Sequence, residues 1–246
     1  MFRLLEPARI TETAERLERR ISERFPHSGL RGVAESLRTE ITTAAETARW
    51  LATPQRWVRG VAIGAILISV VATMVALGLG VYYLVKGNVE LFSSGADLLQ
   101  GLDSAVHELI LIFAATYFLA GWETRRKRRR ALSALHALRS LAHIIDMHQL
   151  TKDPERLLTP EKDTASSPER TFTAFELARY LDYCSEMLSL ISKVAALYVQ
   201  NFHDPVTLDA VNDVEQLTGS LSQKLWLKID ILERVASLAG PAHKSS

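Results

Sequence analysis

The sequence predicts an all-α membrane protein, in which a two-span transmembrane helical hairpin is joined to a cytosolic, coiled-coil-like helical bundle. Two observations predict this fold class. The 26 consecutive residues from Gly60 to Val85 carry no charge. The flanking sequences instead repeat apolar residues every three or four positions, which is typical of amphipathic helices. The 246 residues carry a net charge of +1, so the composition indicates neither disorder nor nucleic-acid binding.

Residues 1–52 are predicted to form two cytosolic amphipathic helices. Neither helix can bury its apolar stripe alone, so each needs a partner. Packing against other helices of this chain is the simpler interpretation. A helix lying on a membrane surface is the alternative, which the glutamates of the first helix disfavour. The apolar positions are Ile10, Ala14, Leu17 and Ile21 in the first helix, and Val33, Leu37, Ile41, Ala44, Ala48 and Leu51 in the second.

Residues 53–87 are predicted to form the first transmembrane helix, because their uncharged run exceeds the roughly 20 residues that span a bilayer. Small residues recur along this helix, and such residues allow helix backbones to approach closely. They predict a helix–helix interface, either with the second span of the same chain or between chains. These small residues are Gly60, Gly64, Ala72, Ala76 and Gly80.

A charge contrast sets the predicted orientation. Residues 88–102 contain no lysine or arginine, whereas six basic residues follow the second span, residues 103–122. Because positive charge stays on the cytoplasmic side, the short loop is predicted to be extracytoplasmic. The prediction is a multi-pass protein of the inner membrane with both termini cytoplasmic. The basic block acts as a stop-transfer signal or contacts anionic lipid; it consists of Arg125, Arg126, Lys127, Arg128, Arg129 and Arg130.

Three ionisable residues lie at the outer end of the second span. Only the 14 residues from Leu109 to Trp122 are uncharged there, so Asp103, His107 and Glu108 fall within the span. Asp103 and His107 are one turn apart and can pair, whereas Glu108 points about 100° further round the helix. Such groups face protein or a pore when they lie in the membrane. The alternative places all three in the headgroup region.

One long helix is predicted from Ser94 to Leu150, in which residues 123–150 form a cytosolic extension of the second span. No proline interrupts it. His143 and Asp146 have a spacing that suits a shared metal, but two ligands do not make a site. We therefore predict no metal and no cofactor.

Residues 151–170 are predicted to be a linker, residues 171–240 an antiparallel helical hairpin, and residues 241–246 a tail. Thr173 and Glu176 form a capping box at the start of the hairpin. Apolar residues then alternate by four and three, which predicts a coiled-coil seam. The seam consists of Leu177, Leu181, Cys184, Leu188, Ile191, Ala195, Tyr198 and Phe202, and the facing positions of the last helix are Leu221, Leu225, Ile229, Leu232 and Ala236.

No catalytic motif is present, and Cys184 lies on the seam as a small buried apolar residue, so an enzyme is not expected. The predicted function is a membrane-anchored helical scaffold or regulatory protein, whose cytosolic bundle mediates self-association or binds a partner. Its predicted partners are the lipid bilayer, further copies in a homo-oligomer and a cytosolic protein, with no nucleic acid. The alternative is an oligomeric cation channel with a pore-lining second span. The excess of arginine over lysine hints at a bacterial source.

Overall fold

A computed structural model describes residues 4–53, 56–86, 95–154 and 172–239. These residues form six helices and no strand, which confirms the all-α prediction. Most of the predicted linker, the start of the predicted loop and the whole tail lie outside the described residues. The helices are α1 (Pro7–Arg24), α2 (Gly29–Ala52), α3 (Arg56–Val85), α4 (Gly95–Leu150), α5 (Ala174–Gln200) and α6 (Pro205–Ala239).

The chain divides into two compact units. The first, which we call the bundle, comprises Met1–Thr53 and Arg128–Ser246. The second, which we call the helix pair, comprises Pro54–Lys127. Helix α4 contributes to both units, since it runs without interruption over the extent that the sequence predicts.

The bundle is built around the predicted apolar stripes of α1 and α2. Every one of the ten positions predicted for these stripes is buried. They share one core with the second half of α4 and with the α5–α6 hairpin. The first two helices therefore bury their apolar faces against their own chain. The α4 residues in this core are Ala131, Leu135, Leu138, Leu141, Ala142 and Ile145.

Helix α5 begins at the predicted capping box. The Thr173 hydroxyl accepts a hydrogen bond from the Glu176 backbone N–H at 3.2 Å, and the Glu176 carboxylate accepts one from the Thr173 N–H at 2.8 Å. These bonds hold the pKa of Glu176 below its usual range. The seam from Leu177 to Tyr198 is buried, and Phe202 packs half-buried against the core. Leu221, Leu225, Ile229 and Leu232 of α6 are buried as predicted, whereas the side chain of Ala236 lies outside the described set.

The structure contradicts the predicted multi-pass protein of the inner membrane with both termini cytoplasmic. Within the described ranges, no helix combines the length and the apolar character that crossing a membrane requires. The prediction relied on the uncharged run from Gly60 to Val85, and the absence of charge does not by itself establish a span. In α4, Glu108 leaves too short an uncharged run before Trp122. The fold class is thus all-α, without the predicted pair of spans.

Candidate functional site

The three ionisable residues proposed for a pore divide into two groups in the helix pair. The His107 Nδ1 lies 3.5 Å from an Asp103 carboxylate oxygen and 2.9 Å from the Asp103 carbonyl oxygen, so these residues pair as predicted. Glu108 instead accepts a hydrogen bond from the Ser69 hydroxyl of α3 at 2.9 Å. Its carboxylate therefore joins the two helices. The channel hypothesis also required two membrane spans, which the described helices do not provide.

Two residues of the basic block have partners within the helix pair. The Lys127 Nζ lies 2.9 Å from the Glu123 carboxylate, and the Lys127 side chain is largely buried. Arg125 lies over the ring of Phe118, with 5.3 Å from its guanidinium carbon to the ring centroid, and donates a hydrogen bond to the Phe118 carbonyl oxygen. Lys127 is therefore paired with a carboxylate, whereas Arg125 is exposed and packs on Phe118.

Two further residues of the basic block contact side chains inside the bundle. Arg128 donates hydrogen bonds to both carboxylate oxygens of Asp204, the shortest at 2.6 Å. Arg130 lies over the ring of Trp50, 4.9 Å from the centroid. Only Arg126 and Arg129 of the block are exposed without such a contact to the described part of the chain. The structure thus favours a structural role for much of the block.

Asp204 is the centre of the contact between α4 and the α5–α6 turn. Its side chain is only 3% exposed. Besides the Arg128 guanidinium, it accepts hydrogen bonds from the backbone N–H and the hydroxyl of Thr207, at 3.0 and 2.9 Å. Burial raises the pKa of the carboxyl, but these hydrogen bonds outweigh that effect and hold the pKa below its usual range. We call Arg128, Asp204 and Thr207 the Asp204 clasp.

A second polar contact lies at the C-terminal end of α4. The Lys228 ammonium of α6 donates to the side-chain and backbone oxygens of Gln149, at 2.6 and 3.2 Å, and to the Lys152 carbonyl oxygen at 3.3 Å. The Gln149 amide in turn donates to Asp146 at 2.6 Å. Desolvation lowers the pKa of Lys228, although Asp153 and Asp146 oppose the shift. Lys228 therefore caps the free carbonyl groups at the end of α4.

An aromatic groove lies on the surface of the bundle between α5 and α6. It encloses about 440 Å³. Phe175 and Trp226 border it and are 61% and 58% exposed, although both are large apolar side chains. Exposed aromatic residues beside a cavity are typical of protein-binding surfaces. We call this feature the aromatic groove; its lining residues are Ala174, Phe175, Ala178, Arg179, Asp182, Trp226, Ile229, Leu232 and Glu233.

A second cavity continues from the aromatic groove. It encloses about 550 Å³ between α1 and α5, and it shares Asp182 and Trp226 with the first cavity. Lys193 lines its far side, where the ammonium donates to the hydroxyl and carbonyl oxygens of Ser189. Trp226 therefore stands between two adjoining cavities, which together follow one side of α5.

The small residues of α3 stay a predicted helix–helix interface, but they do not all share one side of the helix. A Cβ atom placed at Gly60 or Gly64 would meet no described atom within 4 Å. At 100° per residue, Ala72 lies about 120° round the helix from Gly60. Ser69, which contacts α4, lies about 180° from Gly60. Packing of the Gly60 and Gly64 face against α4 is therefore not observed, and the side chains of Ala76 and Gly80 lie outside the described set.

His143 and Asp146 do not gain a third ligand in the bundle. His143 is exposed, and Asp146 is half-buried and bound to Gln149. No group of three or more possible metal ligands occurs in the described parts of the chain. The structure gives this pair no metal-binding geometry.

Cys184 is fully buried, and burial raises the pKa of its thiol to about 12. At neutral pH this leaves about three orders of magnitude less thiolate than an ordinary cysteine has. We expect a thiol reagent such as dithionitrobenzoate to react with the native protein at neutral pH only very slowly, and rapidly after unfolding in guanidinium chloride. Rapid reaction of the native protein would show that Cys184 is accessible.

Neither the aromatic groove nor the Asp204 clasp was predicted from the sequence. Trp226 follows Leu225, so it lies about 100° away from the buried stripe of α6, and this offset is a signal in the sequence. The contact between Asp204 and Arg128 was also missed, because it joins residues 76 positions apart. Local spacing gives no indication of such a contact.

The chain matches no protein-family model, and neither a curated protein nor a solved structure shows significant similarity to it.

Proposed function

We propose that this protein is a helical scaffold or regulatory protein whose bundle binds a partner protein. The observation that carries this proposal is the aromatic groove, where Phe175 and Trp226 are exposed beside a cavity. The apolar stripes that the sequence predicts for α1 and α2 are buried instead. Burying two such side chains in a complex would remove a large apolar surface from water. Cys184 is buried and the pKa of its thiol is raised, which supports a binding role over nucleophilic catalysis.

The shape of the groove favours a helical partner. The cavities follow α5 for several turns, and their α5 floor includes Ala178 and Ser185, whose small side chains leave room for another helix. The charged groups at the rim are of both signs, with Asp182 paired to Arg179 at 3.0 Å. The apolar residues therefore supply most of the binding free energy, and the rim sets orientation.

Photo-crosslinking tests this proposal. We expect a photoreactive phenylalanine at Trp226 to give a discrete crosslinked product in cells, because the side chain at this position would lie inside the complex. The matched control is the same residue at Met147, which is exposed on α4 and lines neither of the two cavities. Mass spectrometry of the product distinguishes a different protein from a second copy of this chain.

The proposal also predicts the effect of a substitution. Phe175→Ala should reduce the yield of the Trp226 product several-fold, since the two aromatic residues border the same groove. Thermal unfolding should change little, because Phe175 is exposed. Equal products at Trp226 and Met147, or a yield insensitive to Phe175→Ala, would exclude the groove as the binding surface.

A further inference from the structure

One face of α3 is lined by glycines and lacks a partner among the described residues. Gly78 is 18 residues from Gly60, which is five full turns at about 3.6 residues per turn, and Gly64 lies about 40° from both. A Cβ atom at any of these three positions would meet no described atom within 4 Å. We call this the glycine face. It is open along much of the helix.

The glycine face is opposite the contact between α3 and α4. Ser69 lies about 180° round the helix from Gly60, and its hydroxyl donates to Glu108 of α4. Within the helix pair, α4 therefore contacts the other side of α3. Among the described residues of the helix pair, the glycine face is therefore left without a partner.

Large apolar side chains accompany the glycines. Seven aliphatic or methionine side chains lie within about 60° of Gly60 on the helix, and each is more than half exposed. If each leaves on the order of 100 Å² in water, they present about 700 Å² per chain, close to the roughly 800 Å² per partner of a stable interface. These side chains are Ile63, Leu67, Val71, Met74, Val75, Val81 and Val85.

We infer that the glycine face binds the glycine face of a second copy of this chain, forming a two-fold symmetric dimer through α3. The face carries no charge from Gly60 to Val85, so its occupant must be equally apolar over the same length. A second copy meets this requirement, because a two-fold axis places the same surface on both sides. The glycines allow the two backbones to approach closely, which increases the contact between the flanking side chains. This inference is independent of the aromatic groove, which lies in the bundle.

Cysteine cross-linking in the full-length protein tests this inference. Single cysteines are introduced at Leu67 and Val71 on the glycine face, and at Ser69 and Thr73 on the opposite side. Copper phenanthroline, an added oxidant, joins thiols that lie close together in two chains. We expect several-fold more covalent dimer for Leu67→Cys and Val71→Cys than for Ser69→Cys and Thr73→Cys. The native chain is the control, since its Cys184 is buried.

A second variant tests whether the dimer requires close approach of the two α3 backbones. Gly64→Leu adds bulk to the open face while raising helix propensity, so the folded chain should persist and the dimer should dissociate. Gly32→Leu is the matched control, since Gly32 is also a helical glycine, and a Cβ atom placed there would meet no described atom within 4 Å. Light scattering after size exclusion should give a lower mass for Gly64→Leu only. Equal cross-linking at all four positions, or a native chain that is monomeric, would overturn the inference.

Discussion

Replacing Leu188 with alanine is expected to lower the free energy of unfolding of the bundle by about 2 to 5 kcal/mol. Leu188 is 1% exposed and lies in the middle of the α5 seam. The substitution removes buried apolar groups and leaves a cavity, which the surrounding helices fill only in part. The change is measured from denaturant unfolding of the full-length protein, followed by helical circular dichroism.

The matched control for this prediction is Leu227→Ala. Leu227 has the same side chain in the same hairpin but is 62% exposed. Its replacement should change the free energy of unfolding by no more than about 0.5 kcal/mol. Equal effects of the two substitutions would mean that the seam is not the core of the bundle.

Asp204→Ala is expected to destabilise the bundle by about 2 to 4 kcal/mol. The substitution removes the side-chain cap at the start of α6, which contributes about 1 kcal/mol. It also removes a charged acceptor from Arg128, worth about 1.5 to 3 kcal/mol for bonds of this type. The Arg128 side chain is about one-third exposed, so water compensates for part of that loss. Asp209→Ala, an exposed acid on the same helix, is the control and should have little effect.

The Asp204 clasp should also make stability depend on pH. The folded-state pKa of Asp204 is below its usual range, so ionised Asp204 favours the folded state. This contribution is complete above the unfolded-state pKa, about 3.9, and is lost as the pH falls through the folded-state value. Asp204→Asn keeps a capping side chain but does not titrate. The stability difference between the native chain and Asp204→Asn should therefore shrink below about pH 4; a difference that grows there would contradict the clasp.

The parts of the fold that follow from local spacing could be predicted from the sequence. The stripe from Ile10 to Ile21 and the seam from Leu177 to Tyr198 are buried because helical periodicity places each set on one face. The Thr173 capping box follows from two residues three positions apart. Each of these features is decided within a few turns of one helix.

The polar contacts between helices of the bundle could not be predicted from local spacing. Arg128 meets Asp204, and Lys228 meets Gln149, only after helices far apart in sequence have packed together. The basic block illustrates the difficulty, because its sequence suggested an exposed cluster of charge. Two of its residues, Arg128 and Arg130, meet Asp204 and Trp50 only when distant parts of the chain pack together, and periodicity does not specify that packing.

The candidate binding surfaces were predicted only in part. Gly60 and Gly64 are among the small residues that predict close helix packing, whereas Ala72, another of them, lies about 120° from Gly60 round α3. The aromatic groove was missed, since it combines Phe175 and Trp226 from two helices. The membrane assignment was wrong because an uncharged run was taken as sufficient evidence for a span.

The order of helices along the chain affects how the bundle forms during synthesis. Helices α1 and α2 both pack against α5, yet α2 ends at Ala52 and α5 begins 122 residues later, at Ala174. At about 5 to 20 residues per second, the ribosome needs about 6 to 24 s to make the intervening chain. During that interval the apolar stripes of the first two helices lack their final partner. The nascent chain therefore has to keep these two stripes from other apolar contacts until α5 has emerged.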